Sequence, residues 1–251
     1  MLGWLNRYVH ETRDQIEKEK AKPGITAYWP KSVENPHLED FLPFIEQDEP
    51  IEPFKSKHKR KLFYIDIDDT GFYVKKFSYR YSTRLFAPIR GLVLFPSVAR
   101  RLFAKMLFLN KIGIRTVQPV AVLERRYRGL KVESLLVTEE LKAPHLNDYL
   151  SEVESPEVVR EVVENLVKTV SLMHNNRVHH GDLKNFDNFM VEPETAEIYL
   201  LDLDERKTKW LPWWRGHDRK VLYRTLNKRL KNYGFEKADK VLGTLFDKYF
   251  S

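Results

Sequence analysis

The chain has 251 residues, 42% of them hydrophobic, and a net charge of +7, a composition that suits one large globular domain or two small lobes. It contains no cysteine, which excludes disulfides, cysteine-ligated metal centres and thiol nucleophiles. No apolar run approaches the length of about 20 residues that spans a bilayer, and the charged start does not resemble a secretory signal, so we expect a cytoplasmic protein.

The first part of the chain gives weak signals for secondary structure. Residues 1–58 hold a short charged helical pattern and an acidic, proline-punctuated stretch, without clear strand alternation before Leu62. We therefore interpret them as an N-terminal extension. Two β-rich runs at 62–67 and 72–77, joined by a turn at 68–71, then predict a hairpin.

A helix and two more strands are predicted after the hairpin. Ser97 is a suitable N-cap for a helix with one apolar face, and Gly113 stands just past its end. The apolar runs at 120–123 and 135–138 predict strands, which gives a sheet of four or five members. We expect the helix to pack against this sheet.

The second half of the chain reads as mainly helical. Residues 155–157, Ser-Pro-Glu, supply the cap, the first-turn proline and the acid of a long helix. A polar loop at 179–188 follows, then a short strand from Phe189 and another at 198–203. Basic helices fill the remainder.

The polar loop carries the groups that phosphoryl transfer requires. Its sequence, H-H-G-D-L-K-N-F-D-N, offers a carboxylate that could deprotonate a hydroxyl, a cation for the transferred phosphoryl group and oxygen ligands for magnesium. A second pair of carboxylates, Asp202 and Asp204, follows the next apolar run.

This loop, with L-D-L-D at 201–204, resembles the catalytic loop and the D-F-G segment of the protein-kinase-like superfamily. The resemblance implies that Asp182 is the catalytic base and that Lys184 lies against the transferring phosphoryl group. Gly181 replaces the usual arginine, a form similar to that of small-molecule kinases.

The same resemblance implies a magnesium site. Asp202 stands where the family has its metal-binding aspartate, and Asp204 would either assist it or be solvated. The expected metal-binding asparagine is shifted by one position, so we predict Asn188 as ligand, with Asp187 as the alternative.

The ATP site is predicted from two further segments. Phe72-Tyr-Val-Lys75 resembles the strand whose lysine holds the α- and β-phosphates, which makes Lys75 the candidate and Lys76 the less favoured one. The run 135–141 resembles the hinge, where the backbone groups of Glu139 and Leu141 would bind adenine.

Three more residues have structural roles by the same resemblance. Asp218 resembles the helix aspartate that braces the catalytic loop from below. His179 and His180 are typical of structural histidines beside the catalytic aspartate.

Within the superfamily the chain is most similar to the lipopolysaccharide core kinases, the Kdo and heptose kinase family, over about 62–223. The segments 72–77, 113–120, 135–141 and 173–182 carry this likeness. It implies a two-lobed α+β protein-kinase-like fold, with a small antiparallel-sheet N-lobe at 59–141 and a mostly helical C-lobe at 142–251. ATP and Mg²⁺ would be its cofactors.

Two departures from the family pattern leave alternatives open. A rough alignment places Leu102 where the glutamate partner of Lys75 should stand, and no G-x-G-x-x-G precedes the hairpin. The chain could therefore be a pseudokinase that serves as a regulatory binding module, and a minimal protein kinase is the other alternative.

The resemblance implies a lipid-linked sugar acceptor, with Kdo or heptose as its core sugar. Basic clusters at 55–61, 207–215 and 219–231, the last two beside tryptophans, indicate an anionic partner, which could be nucleic acid, a phosphorylated substrate or an anionic membrane surface, or else they form a solvated face. With the acceptor that the resemblance implies, the membrane interpretation is preferred, as peripheral contact at the inner face of the cytoplasmic membrane. Nucleic-acid binding would require steep salt dependence, and no nucleic-acid partner is expected.

Overall fold

The computed structural model describes residues 7–34, 36–46, 55–57, 60–78, 96–127, 130–203, 213–235 and 238–250. They divide into two compact units. The first draws on Met1–Lys111 and Val117–Leu141, and the second on Ile112–Thr116 and Lys142–Ser251.

The described strands of the first unit form one seven-stranded sheet in the order β1-β2-β6-β7-β5-β4-β3. Every neighbouring pair is antiparallel. The strands are β1 Ile16–Lys22, β2 Ile25–Pro30, β3 Lys55–Lys57, β4 Arg60–Ile67, β5 Thr70–Ser78, β6 Pro119–Tyr127 and β7 Leu130–Glu139.

The expectation of an extension without strands before Leu62 is wrong. β1 and β2 form a hairpin that extends the sheet through β6. β1 is the edge strand, and four consecutive charged residues at 17–20 are exposed. An edge strand that is polar on both faces gives no apolar alternation, which is why the sequence pattern did not indicate it.

The predicted hairpin at 62–77 is confirmed as β4 and β5. Ile67 pairs with Thr70, so the loop consists of Asp68 and Asp69 alone. Their φ angles are +51° and +63°. Positive φ at both loop residues is typical of a type I′ turn, whose twist matches that of the flanking strands.

Helices cover both faces of the sheet in the first unit. The short helices α2 and α3 pack on one face, where the aromatic residues Phe41, Phe44, Phe63 and Phe72 join the core. The predicted helix α4 is confirmed, since the Ser97 hydroxyl accepts a hydrogen bond from the Arg100 amide at 3.0 Å. The helices are α1 Arg7–Glu11, α2 Leu38–Phe41, α3 Pro43–Glu46 and α4 Val98–Lys111.

The second unit is mostly helical, as predicted. Ser155 caps the long helix α6 by accepting from the Val158 amide at 3.4 Å. The strand expected at 198–203 ends at Leu200. The elements are α5 Leu146–Glu152, α6 Pro156–Asn175, a 3₁₀ turn Phe186–Asn188, β8 Phe189–Val191, β9 Ile198–Leu200, α7 Trp213–Asn232 and α8 Ala238–Phe250. Among these described helices, none has the length and apolar character needed to cross a membrane.

A short segment from the first half of the chain belongs to the second unit. The Leu200 amide donates to the Arg115 carbonyl at 3.0 Å, and Thr116 forms a parallel bridge with Leu200. Arg115 also pairs with Glu197 at 3.4 Å. Residues 112–116 therefore complete the small sheet beside β9.

Candidate active site

The loop between α6 and β8 is held by buried apolar side chains. Leu183 and Phe186 point into the core, while Asp182 is half-buried and Lys184 is exposed. The Asp182 amide donates to Nδ1 of His180 at 3.4 Å. The buried side chains of Leu183 and Phe186 hold the loop backbone in place, and the side chains of Asp182 and Lys184 remain accessible at the surface.

The two histidines ahead of Asp182 are both buried, in agreement with the expected structural role. His180 stacks on Phe189 with ring centroids 5.3 Å apart, and Phe186 meets Phe189 edge to face. Nε2 of His179 lies 2.9 Å from Oδ2 of Asp218.

Asp218 braces the loop from α7, which confirms its expected role. Nε2 of His174 lies 3.7 Å from the same oxygen that contacts His179. Burial alone would raise the pKa of Asp218, but the hydrogen bonds and charges of His174 and His179 outweigh burial. They hold the pKa of this carboxyl well below its ordinary value, so Asp218 stays ionised beneath the loop.

Asn188 connects the loop of Asp182 to the segment that carries Asp202. It is 7% exposed, and its Nδ2 donates to the Asp182 carbonyl at 3.1 Å. Its own carbonyl accepts from the Leu201 amide at 2.8 Å. Asp187 is exposed on the 3₁₀ turn, so the geometry favours Asn188 over Asp187 as the inward-facing ligand.

The oxygen atoms near Asn188 suit a hard cation. Because Nδ2 of Asn188 is engaged by Asp182, its Oδ1 is the available end, contacted only by Nδ2 of Asn185 at 3.4 Å among the hydrogen bonds of the described residues. Asp202 is exposed and has a φ of +41°, a strained value for a non-glycine residue that often marks a functional position. An amide oxygen and a carboxylate fit Mg²⁺, which commonly takes few protein ligands and completes its shell with phosphate and water. Asp204 lies outside the described residues.

In the first unit, Lys75 and Lys76 lie in different environments. Lys76 is 5% exposed, and its Nζ lies 3.6 Å from Glu133, which also pairs with Arg125. Strand alternation puts Lys75 on the opposite face, the one that α4 covers. Lys76 therefore belongs to a buried cluster of charges with Glu133 and Arg125. Lys75 remains the predicted ligand of the ATP phosphates.

The hinge residues differ in the hydrogen bonds that their backbones make. The Glu139 amide donates to the Gln118 carbonyl at 2.9 Å, and the Glu140 amide donates to the Gly71 carbonyl at 2.8 Å. Leu141 makes no backbone hydrogen bond within the described chain. Among the described residues, no backbone carbonyl engages the Leu141 amide, whereas the Glu139 amide is already bonded and leaves its carbonyl for adenine.

Glu124 is a buried acid that the sequence analysis did not single out. It is fully buried on β6, on the face that α4 covers, and its Oε1 accepts from the Ser97 amide at 3.0 Å. The Tyr28 hydroxyl lies 3.5 Å from its other oxygen. Burial and the charge of Glu124 raise the pKa of Tyr28. The signal that could have revealed this acid is its position at the end of the apolar run 119–123.

Leu102, at the position expected for the glutamate partner of Lys75, is buried on α4. The seven predicted site residues divide between the units. Asp182, Lys184, Asn188 and Asp202 lie in the second unit, while Lys75, Glu139 and Leu141 lie in the first.

The fold is similar to solved kinase structures. One is WaaP in complex with acyl carrier protein, at a TM-score of 0.52 and 21% identity over 79% of this chain and 87% of that one. Another is Rad53 1–466 in complex with AMP-PNP, at a TM-score of 0.51 and 12% identity over 91% of this chain and 71% of that one. The chain therefore has a two-lobed protein-kinase-like fold.

The family follows from the sequence comparison. Residues 94–242, more than half of the chain, match the Lipopolysaccharide kinase (Kdo/WaaP) family. The chain belongs to this family and is accordingly a phosphotransferase of lipopolysaccharide biosynthesis. No curated protein matches it in a direct sequence search.

Proposed function

We propose that the protein is an ATP-dependent kinase that phosphorylates a hydroxyl of a lipopolysaccharide core sugar, either Kdo or heptose. The observation that carries the proposal is the connection through Asn188, which bonds to the Asp182 carbonyl and to the Leu201 amide. It supports a single polar site built from the base, the amide ligand and Asp202.

In the proposed reaction, Asp182 accepts the proton of the acceptor hydroxyl while that oxygen attacks the γ-phosphorus of ATP. The bond from the γ-phosphorus to the bridging oxygen breaks, and ADP leaves. Lys184 offsets the charge on the phosphoryl group during transfer. The half-buried position of Asp182 and the exposure of Lys184 support these roles, because both side chains can reach a ligand.

Magnesium would be held by Oδ1 of Asn188 and the carboxylate of Asp202. Bound Mg²⁺ neutralises phosphate charge and orients the nucleotide. Nδ2 of Asn188 is engaged by the Asp182 carbonyl, which leaves Oδ1 as the end of this amide that could bind the metal. Asp202 would contribute a full negative charge to this metal site, next to the neutral amide of Asn188.

ATP would be bound by Lys75 at the α- and β-phosphates and by the hinge backbone at adenine. The Leu141 amide, which no backbone carbonyl of the described residues engages, supports a donor role, and the Glu139 carbonyl would accept from the exocyclic amine. The Rad53 structure was solved with the ATP analogue AMP-PNP, which supports nucleotide use by this fold.

The acceptor would be lipid-linked and reached at the inner face of the cytoplasmic membrane. This location would require only peripheral contact with an anionic surface, which the basic composition of the C-terminal helices supports.

The test is phosphate transfer from ATP to Kdo-bearing lipid, heptose-bearing lipid, small sugars and protein. We expect transfer to one of the two lipid acceptors, and a loss of about 10²–10⁴-fold in kcat for Asp182→Asn. Glu194→Gln, which neutralises an exposed carboxylate in the same unit outside the proposed site, is the control and should keep nearly full activity.

Transfer to protein alone would contradict the proposed acceptor. Magnesium-dependent ATP binding without turnover, unchanged by Asp182→Asn, would instead indicate a pseudokinase.

A further inference from the structure

Helix α7 presents a row of cations on one face. Lys220, Arg224 and Lys228 follow one another at intervals of four residues, and all three are exposed. Like charges at this spacing repel each other within a helix. Within the described part of the chain, no carboxylate pairs with any of the three.

The helix itself offers no compensation for this row. Its sole acidic residue is Asp218, which is buried and engaged by His174 and His179. The cost of three neighbouring positive charges is therefore not offset by α7. An anionic partner would remove that cost.

A groove adjoins the row, between α7 and α8. Its volume is about 190 Å³, and Arg219, Lys220 and Arg224 supply its cations. Tyr223 and Phe246 line it with aromatic surface, their ring centroids 5.1 Å apart. The groove therefore joins apolar walls to positive charge.

Two details show that the groove is open and positive. A Cβ placed on Gly243, which lines the groove, would meet nothing within 4 Å. The one lining carboxylate is that of Asp247, which is 85% exposed and 3.6 Å from Arg219. Lys220 and Arg224 are left without a carboxylate partner in the described chain.

We propose that this row and groove form a docking site for the phosphate groups of anionic membrane lipids. Residues four apart on a helix advance by about 6 Å along its axis and stay on one side of it, so the three cations can contact successive headgroups of an anionic surface. Aromatic side chains beside the cations are typical of contact with a membrane interface. The inference rests on the lipid-linked acceptor proposed above and deepens it, by assigning the surface that brings the kinase to its lipid.

The first test is co-sedimentation of the full-length protein with vesicles. Phosphatidylcholine vesicles are compared with vesicles that also contain phosphatidylglycerol, and we expect binding only to the latter, weakening as salt rises. The triple variant Lys220→Gln, Arg224→Gln, Lys228→Gln should bind on the order of 100-fold more weakly. Lys111→Gln, Lys168→Gln, Lys240→Gln removes the same charge from other exposed positions and should bind nearly as wild type.

The second test fills the groove without removing charge. Gly243→Leu adds a side chain where there is open space, and leucine favours the helix more than glycine does. If a lipid phosphate enters the groove, vesicle binding should weaken roughly tenfold with no loss of thermal stability. Inorganic phosphate, compared at equal ionic strength, should displace the protein from vesicles only weakly if the groove accepts a free anion. The protein should still bind the lipid vesicles more tightly than it binds free phosphate.

Equal losses in the two triple variants, or unchanged binding in the first, would overturn the proposal. Unchanged vesicle binding together with loss of a complex with purified acyl carrier protein would assign the surface to an acidic protein instead. Asp182→Asn should bind vesicles as wild type does. Failure of the catalytic proposal is therefore distinguishable from failure of this one.

Discussion

Asp182 depends on Asn188 for the position of its backbone. The Asn188 amide group is the donor to the Asp182 carbonyl, and Asn188 is buried. A residue in this position combines a structural hydrogen bond with a proposed metal ligand. Its substitution should therefore affect stability and magnesium dependence together.

We expect Asn188→Ala to lower the free energy of unfolding by about 1–3 kcal/mol, because the Asp182 carbonyl loses its partner. The variant should also need more magnesium for half-maximal activity. Asn185→Ala removes longer hydrogen bonds at an exposed position in the same loop, including the one to Oδ1 of Asn188, and should lower the free energy of unfolding by only about 1 kcal/mol. Urea unfolding and a magnesium titration measure both effects, and an unshifted magnesium requirement would remove Asn188 from the metal site.

Asp218 should give the protein a pH-dependent component of stability. Its pKa is lowered in the folded state, so this component is fully present above the ordinary pKa of 3.8 and is lost as pH falls toward the folded value. We expect Asp218→Asn to be less stable than wild type at neutral pH by about 3 kcal/mol.

The stability difference between Asp218→Asn and wild type should shrink as pH falls below about 4. Urea unfolding at a series of pH values measures it. A difference that stays constant over that range would show that the charge of Asp218 contributes nothing.

Among the elements, α4 is anchored to the sheet by a buried acid. Glu124 accepts from the Ser97 amide, while Arg100 lies over the Tyr28 ring at 4.3 Å. The carboxylate therefore fixes the start of the helix that faces Lys75.

Glu124→Ala should lower the free energy of unfolding by about 1–3 kcal/mol, since the buried Ser97 amide loses its acceptor. Glu124→Gln keeps an acceptor oxygen and should cost less. Hydrogen exchange at the start of α4 should speed up in the alanine variant before the rest of the unit does. Uniform acceleration across the sheet would mean that the anchor is not local.

The turn between β4 and β5 contains a position at which a substitution should stabilise the protein. Asp69 adopts a φ of +63°, which glycine tolerates without strain. Asp69→Gly should raise the free energy of unfolding by roughly 1 kcal/mol, whereas Asp69→Ala should lower it. Urea denaturation of the pair measures this, and equal stability of the two variants would contradict the turn assignment.

The elements that sequence predicted are those with buried apolar faces and clear caps. α4 and α6 combine Ser97 or Ser155 caps with an apolar face. β1 was not predicted because it has no buried apolar face at residues 17–20, which are all charged and exposed. Edge position, not composition, made it a strand, and edge position is a property of the assembled sheet.

At the scale of the whole molecule, the site too has features that local sequence does not reveal, because they arise only when distant segments meet in the fold. The motif around Asp182 is contiguous, so its residues could be named from sequence. Glu124 stands out in the sequence only as an acid at the end of an apolar run. Its role could not be predicted, because its partners Ser97 and Tyr28 are 27 and 96 residues away and meet it only through folding. Lys75 is distinguished from Lys76 by strand alternation, since Phe72 and Val74 already face the core.

Residues 112–116 have a consequence for recombination between relatives. The backbone pairing of Arg115 and Thr116 with Leu200 places five residues of the N-terminal half inside the helical lobe. A genetic crossover at Leu141 would take all residues up to 141 from one parent and the rest from the other. Residues 112–116 would then come from a different parent than β9, the strand with which they pair. Chimaeras that also carry 112–116 with the C-terminal parent should be the ones that fold.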